Sequence, residues 1–119
     1  MPPPAALLAL SHVAVRAADL DRSCAFYRDA LGFAEHCRLN DLRTGKLMLV
    51  CFKVSDAQWI EIFAGRGPGD NVMHQVAFRV GNVEAIRAVL AERGAPVPAR
   101  TPTGQMGNRN FVVADPDGQ

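Results

Sequence analysis

The stretch Val13-Ala14-Val15-Arg16 recurs as Val76-Ala77-Phe78-Arg79, an offset of 63 residues. The same offset carries Asp19 onto Asn82 and Leu20 onto Val83. It carries Leu31 onto Gly94 and Gly32 onto Ala95, so the segment between ends one residue sooner in the second copy. An internal repeat fixes architecture before any single element does, because each copy must be one supersecondary unit.

The first copy opens with an alternating run from Leu10 to Arg16. Val13 and Val15 share one face, and His12, Ala14 and Arg16 share the other, which is a strand with one apolar side. Asp19 stands at an N-cap, Asp21 adds negative charge to the first turn, and Leu20, Cys24, Tyr27 and Leu31 follow at helical spacing. Gly32 closes the helix as a C′ residue. Phe33 to Asn40, Lys46 to Val54 and Trp59 to Ala64 read as three strands, separated by turns at 40–45 and 55–57. In the last of them Trp59, Glu61 and Phe63 share one face and Ile60 and Ile62 the other. Gly65 to Asn71 is the linker.

The second copy restarts with Gln75, Ala77 and Arg79 facing away from Val76, Phe78 and Val80. Asn82 caps a helix whose apolar stripe is Val83, Ile86, Val89 and Leu90, and Gly94 ends it. Ala95 to Ala99 holds Pro96 and Pro98, so it is expected only as a short edge strand. Arg109 to Ala114 is expected as a strand, and Asp115-Pro116-Asp117-Gly118 as a turn. The class is therefore α+β. One domain spans 1–119, built from two strand-helix-strand-strand-strand modules at 8–64 and 72–119, joined by the 65–71 linker. The second module is expected to be C-terminally truncated, without its last strand.

Composition excludes several function classes. A chain of 119 residues that is 49% hydrophobic and 21% charged supports a core and is not intrinsically disordered. Thirteen basic and twelve acidic side chains are interspersed, which leaves no basic stripe for nucleic acid. The longest apolar run, Pro2 to Leu10, is too short to span a bilayer and lacks the basic flank of a secretory signal. Cys24, Cys37 and Cys51 are an odd set without metal-type spacing and read as reduced thiols of a cytoplasmic protein. The loop Thr101 to Asn108 is glycine-rich but lacks the Gly-Lys-Ser/Thr ending of a phosphate loop.

Ser11-His12-Val13-Ala14-Val15-Arg16, Asp19-Leu20, and Ala25-Phe26-Tyr27-Arg28-Asp29-Ala30-Leu31-Gly32-Phe33 carry a family signature. Gln75-Val76-Ala77-Phe78-Arg79-Val80 and Asn110-Phe111-Val112-Val113-Ala114-Asp115-Pro116-Asp117-Gly118 complete it. With these residues the chain resembles the vicinal oxygen chelate superfamily, of the glyoxalase/bleomycin-resistance/extradiol-dioxygenase type. The resemblance implies two βαβββ modules forming a cup-shaped, partly open mixed sheet with helices outside and a divalent metal on the concave face. It implies ligands from the first and last strands of each module. Those positions are His12, Glu61, the start of the second module, and a carboxylate just past Gly118. The repeat offset sets Gln75 opposite His12, while alternation turns His74 to the Val76/Phe78 side. A local bulge near Met73 would bring His74 in as the alternative ligand. The chain stops at Gln119, short of the expected carboxylate, so a longer protein is expected.

An imidazole and a carboxylate on the less apolar faces of two strands suit Zn²⁺, Ni²⁺, Fe²⁺ or Mn²⁺. Such an ion holds two neighbouring substrate oxygens and stabilises an enolate, or activates O₂. The expected activity is thus a metal-dependent lyase or isomerase working through an enolate, or an oxygenase, on a small molecule with adjacent oxygen functions. Glu61 is the expected catalytic group as well as a ligand. Arg16 and Arg79 are candidates to hold an anionic substrate, and Trp59 and Phe63 to wall its pocket. Each has a structural counterpart: Glu61 paired with Arg16 or Arg79, the arginines at solvated strand ends, the aromatics in ordinary packing. Two other readings stand beside the enzyme. One is a metal-free small-molecule-binding or drug-sequestering protein, favoured by Gln75. The other is the first half of a tandem protein whose working site lies elsewhere. The expected partners are a small-molecule substrate and a second copy or further modules, with no nucleic acid and no membrane.

Overall fold

The computed structural model describes residues 6–104 and 108–117. Part of the glycine-rich loop, Gly118 and Gln119 therefore lie outside the described residues. The elements in chain order are β1 (Leu7–Arg16), α1 (Leu20–Ala25), a π-helical stretch (Phe26–Ala30), β2 (Ala34–Asn40), β3 (Leu47–Lys53), β4 (Trp59–Phe63), β5 (Met73–Val80) and α2 (Val83–Glu92). The five strands form one mixed sheet in the order β2-β3-β4-β1-β5. No described helix is long and apolar enough to cross a membrane. The chain divides into two compact units, residues 10–77 and residues 1–9 with 78–119.

The 10–77 unit is a strand-helix-strand-strand-strand module whose first strand pairs with its last. β1 runs parallel to β4, with His12 opposite Trp59, Ala14 opposite Glu61 and Arg16 opposite Phe63. A parallel pair needs a long crossover, and here the helix and two further strands supply it. β4 and β3 are antiparallel, with Glu61 opposite Cys51, and β3 pairs antiparallel with β2, with Cys51 opposite Cys37. These registers give the sheet two faces. Ala17, Cys24, Val50, Phe52 and Ile62 form a buried cluster, with Val15, Leu20, Tyr27 and Ile60 packed against it. That is the helix-covered face, and it takes Val15 of β1 and both isoleucines of β4, as alternation assigns them. The opposite face, called here the site face, carries His12, Glu61 and Cys51.

Local chemistry sets the helix ends. The Asp19 side chain accepts the Arg22 N–H at 3.1 Å, as an N-cap does. The helix is not regular to its end. After Ala25 the turns widen, and the Leu31 N–H reaches back to the Phe26 carbonyl at 3.1 Å. Phe26, off the apolar stripe, is 53% exposed, while Tyr27 stacks on Phe52 with ring centroids 5.9 Å apart. Gly32 follows with φ +75°, a conformation that a side chain resists.

In the other unit Asn82 caps α2 through the Ala85 N–H, and Ile86 is buried. Glu84 ties α2 to the following segment: its carboxylate accepts from the buried Thr101 hydroxyl at 2.6 Å and pairs with Arg87 and Arg109. The strands expected at 95–99 and 109–114 do not form. Pro96 and Pro98 remove the ladder donors of the first. The second keeps one antiparallel bridge, between Arg109 and Thr103. The expected turn is present at Asp115, whose side chain accepts the Asp117 N–H at 2.9 Å.

Phe52 is fully buried in the cluster. Phe52→Ala is expected to lower the unfolding free energy by about 3–5 kcal/mol, the cost of deleting a core aromatic. Urea denaturation measures it, and a loss below about 1 kcal/mol would contradict this placement of the core.

Candidate functional site

Glu61 stands in the middle of β4 between two isoleucines and is 6% exposed. A carboxylate buried there is costly unless donors reach it. Two do. The Trp59 indole N–H donates to Oε2 at 2.8 Å, and His12 Nε2 lies 3.3 Å from the same oxygen. The parallel β1–β4 register makes this possible. Ala14, opposite Glu61, is fully buried and has no side chain beyond Cβ, so His12 leans across the space from the next row. The imidazole stacks on the Trp59 ring, with centroids 4.7 Å apart and planes at 21°.

β5 brings the third group. Gln75 Nε2 lies 3.3 Å from His12 Nε2. On the other side of the ring, Ser11 Oγ lies 3.2 Å from Nδ1. Burial lowers the His12 pKa below its ordinary 6.5, and the Glu61 charge opposes that shift only in part. The ring is therefore a neutral imidazole near pH 7. A neutral ring cannot satisfy both neighbours of Nε2. If Nε2 carries the proton it serves Glu61 but faces the Gln75 amide nitrogen. If it does not, its lone pair faces the carboxylate. Turning the Gln75 amide presents Oε1 instead, so an imidazole nitrogen and two oxygens converge.

That donor set matches a cation. Two ligands held on one ion at about 2.0–2.1 Å in tetrahedral array lie about 3.3–3.4 Å apart. Both separations from His12 Nε2 fall at that value. Among the described residues no group of three His, Cys, Asp or Glu side chains converges on one point.

The other candidates are placed as follows. Arg16 does not pair with Glu61. Its Nη1 donates to the carbonyls of Asn71 and Met73 at 3.2 and 3.0 Å, which fastens the start of β5 to β1. His74 is not turned away from the site face. Its ring meets Phe63 edge-on at 4.5 Å, and its Nδ1 lies 3.4 Å from Arg16 Nη2. His74 thus sits at the Arg16–Phe63 end of that face, while His12 and Trp59 occupy the other end. Arg79 is exposed on β5, in the unit formed by residues 1–9 and 78–119. A small cavity of about 170 Å³ opens beside His12 and Trp59, lined also by Ser11, Val54 and Gln58.

Sequence reasoning missed two neighbours. Ser11 is adjacent to His12 in the chain, and the signal was that adjacency. Cys51 lies opposite Glu61 with Cys37 beyond it. Burial, the Cys37 thiol and the Glu61 charge all push the Cys51 pKa up, so the thiol stays protonated beside the carboxylate. Only the strand register reveals that row.

The glyoxalase/bleomycin resistance protein/dioxygenase superfamily profile matches residues 9–119. The chain belongs to this superfamily. Among solved structures it is similar to a methylmalonyl-CoA epimerase in complex with methylmalonyl-CoA and NH4+, at 21% identity and a TM-score of 0.77, covering 91% of this chain and 85% of that one. It is similar to a methylmalonyl-CoA epimerase from Mycobacterium tuberculosis at 21% identity and a TM-score of 0.78, covering 95% and 83%. A Streptomyces coelicolor methylmalonyl-CoA epimerase in complex with 2-nitronate-propionyl-CoA matches at 21% identity and a TM-score of 0.77, covering 91% and 88%. At this identity the likeness establishes the superfamily fold. No curated protein matches the chain.

In protein stripped of divalent ions by chelation, His12 is expected to titrate below 6.5 by NMR. Glu61→Gln is expected to lower that midpoint further, because it removes the charge that raises it. The sign for stability follows. As pH falls below about 6.5 the unfolded chain takes up the proton first, so a contribution that is whole above that pH is lost towards the folded value. His12→Gln removes this loss. A midpoint above 6.5 in the stripped protein would contradict the assignment.

Proposed function

We propose that the chain is a metal-dependent enzyme of the isomerase or epimerase kind, in which His12, Glu61 and Gln75 hold one divalent cation. The observation that carries this reading is the pair of 3.3 Å separations about His12 Nε2. When bound, the cation would polarise a substrate carbonyl and stabilise the negative charge of an enolate. The chain's own residues do the rest. Burial keeps His12 neutral, and Nδ1–H donating to Ser11 Oγ leaves the Nε2 lone pair facing the other donors. Trp59 fixes the ring by stacking and holds Glu61 Oε2 through its N–H. That leaves Glu61 Oε1 to accept a proton from a carbon beside the carbonyl.

The substrate class is a small molecule with neighbouring oxygen functions. The epimerases that share the fold are seen with acyl-CoA compounds, so a thioester carrying an acidic α-hydrogen is the first class to test. Arg16, as a clamp on the start of β5, is a positioning residue in this reading, because it sets Gln75 against His12.

A second reading is a metal-free binding protein. One observation favours it: Trp59 and His12 already satisfy Glu61 without any ion. The two readings separate cleanly. The enzyme is expected to carry about one divalent ion per chain by elemental analysis, and Glu61→Ala to lose it. It is also expected to exchange the α-hydrogen of methylmalonyl-CoA with D₂O, read by NMR, and Glu61→Gln to slow this by about 10²-fold or more. Trp59→Phe is expected to weaken ion binding about 10–100-fold in calorimetry, as loss of an outer partner does. Ion content that is absent from the wild type, or unchanged in Glu61→Ala, rejects the enzyme.

A further inference from the structure

The 10–77 unit has a second concavity, away from Glu61. A cavity of about 460 Å³ lies at the C-terminal end of β1, against α1, the π-helical stretch and the linker. Val15 lines it, and Val15 belongs to the strand face opposite the one that carries His12 and Glu61. Its volume is that of a small-molecule site.

Arg66 is the unusual residue there. It lines the cavity, and its Nε is buried with no hydrogen-bond partner among the described residues. A guanidinium stays charged at any physiological pH, and a buried donor on it without an acceptor is costly. The residue is held in place, since its backbone N–H donates to the Ala17 carbonyl at 3.0 Å. Arg22, exposed on α1, adds a second guanidinium to the wall. Arg16 adds a third positive charge, although its own donors go to Asn71 and Met73. One carboxylate, Asp19, also lines the cavity, with Oδ1 engaged in capping α1. The charge of the lining is therefore net positive.

The rim is apolar. Phe26 and Val72 line the same cavity at 53% and 54% exposure. Phe26 opens the π-helical stretch, a helix irregularity that is frequent where ligands bind. Three guanidiniums against one engaged carboxylate, beside an exposed aromatic, ask for a ligand with a multivalent anion at one end and an apolar body at the other. A phosphate offers three acceptor oxygens to two guanidiniums.

We infer that this cavity binds an organic phosphate monoester, with the phosphate on Arg66 and Arg22 and the organic part on Phe26 and Val72. The inference does not rest on the metal reading, because Arg66, Arg22, Phe26 and Val72 are not among the residues assigned to the cation.

The test is an NMR titration of the ¹⁵N-labelled chain with phenyl phosphate and with inorganic phosphate at constant ionic strength. Saturable shifts are expected at amides 17–23 and 66–72, with phenyl phosphate the tighter ligand. Arg66→Met is expected to weaken it about tenfold or more, the scale of one charge-assisted hydrogen bond. Arg22→Gln, at an exposed position, gives the same direction should Arg66→Met fail to fold. Phe26→Ala is expected to bring phenyl phosphate down to the affinity of inorganic phosphate. The inference is overturned if neither compound gives saturable shifts at those amides, if Arg22→Gln and a folded Arg66→Met both leave them unchanged, or if inorganic phosphate binds wild type as tightly as phenyl phosphate.

Discussion

The burial of one carboxylate governs the site. Glu61 occupies a strand that is otherwise apolar, and its neighbours Ile60 and Ile62 are committed to the helix-covered core. The backbone cannot move Glu61 to solvent without moving those isoleucines out of the core, because strand parity couples them. Glu61 must therefore be satisfied where it is. The β1–β4 register does this by placing the smallest available residue, Ala14, opposite it and letting His12 and Trp59 close over it from the adjoining row. Larger residues at position 14 would push the imidazole away and leave the acid with one partner.

The same constraint explains why the module is built with β1 beside β4 and β5 beside β1. One strand supplies the acid, one the imidazole, and one the amide. β4 and β1 are interior strands and β5 is the edge strand beside β1, so each side-chain direction is set by a ladder and no loop has to be ordered to assemble them. That is the more exact way to hold a constellation. The Arg16 bonds to the carbonyls of Asn71 and Met73 extend the logic to the junction where β5 begins, the place where a register error would displace Gln75.

Parity was legible in the sequence and register was not. Alternation alone assigned His12, Ala14 and Glu61 to one face and Val15, Ile60 and Ile62 to the other, and the 63-residue repeat set Gln75 opposite His12. The N-caps at Asp19 and Asn82 could be read because an acceptor side chain before an apolar stripe has one use. What escaped depends on long-range pairing. Cys51 faces Glu61 only through the β3–β4 register. His74 broke the parity rule where β5 starts, with the Arg16 clamp and the Phe63 ring around it. The π-helical stretch carries no local signal, since Phe26 to Ala30 keeps ordinary helical spacing. The two strands expected late in the chain rested on short patterns, one of them holding two prolines, and neither formed.

The two concavities of the 10–77 unit pose opposite electrostatic problems, and the comparison sharpens what each is for. At Glu61 a negative group is buried with Trp59 and His12 both on Oε2, so a ligand on that oxygen must displace interactions that already exist. A cation does this without loss only where the partners are themselves lone-pair donors, which the imidazole, the carboxylate and a turned amide are. At the second concavity three arginines face one carboxylate already engaged in capping, so an anion meets a net positive lining. Binding at the first site is therefore selective for charge type and donor geometry. Binding at the second is driven by the net positive charge of the lining.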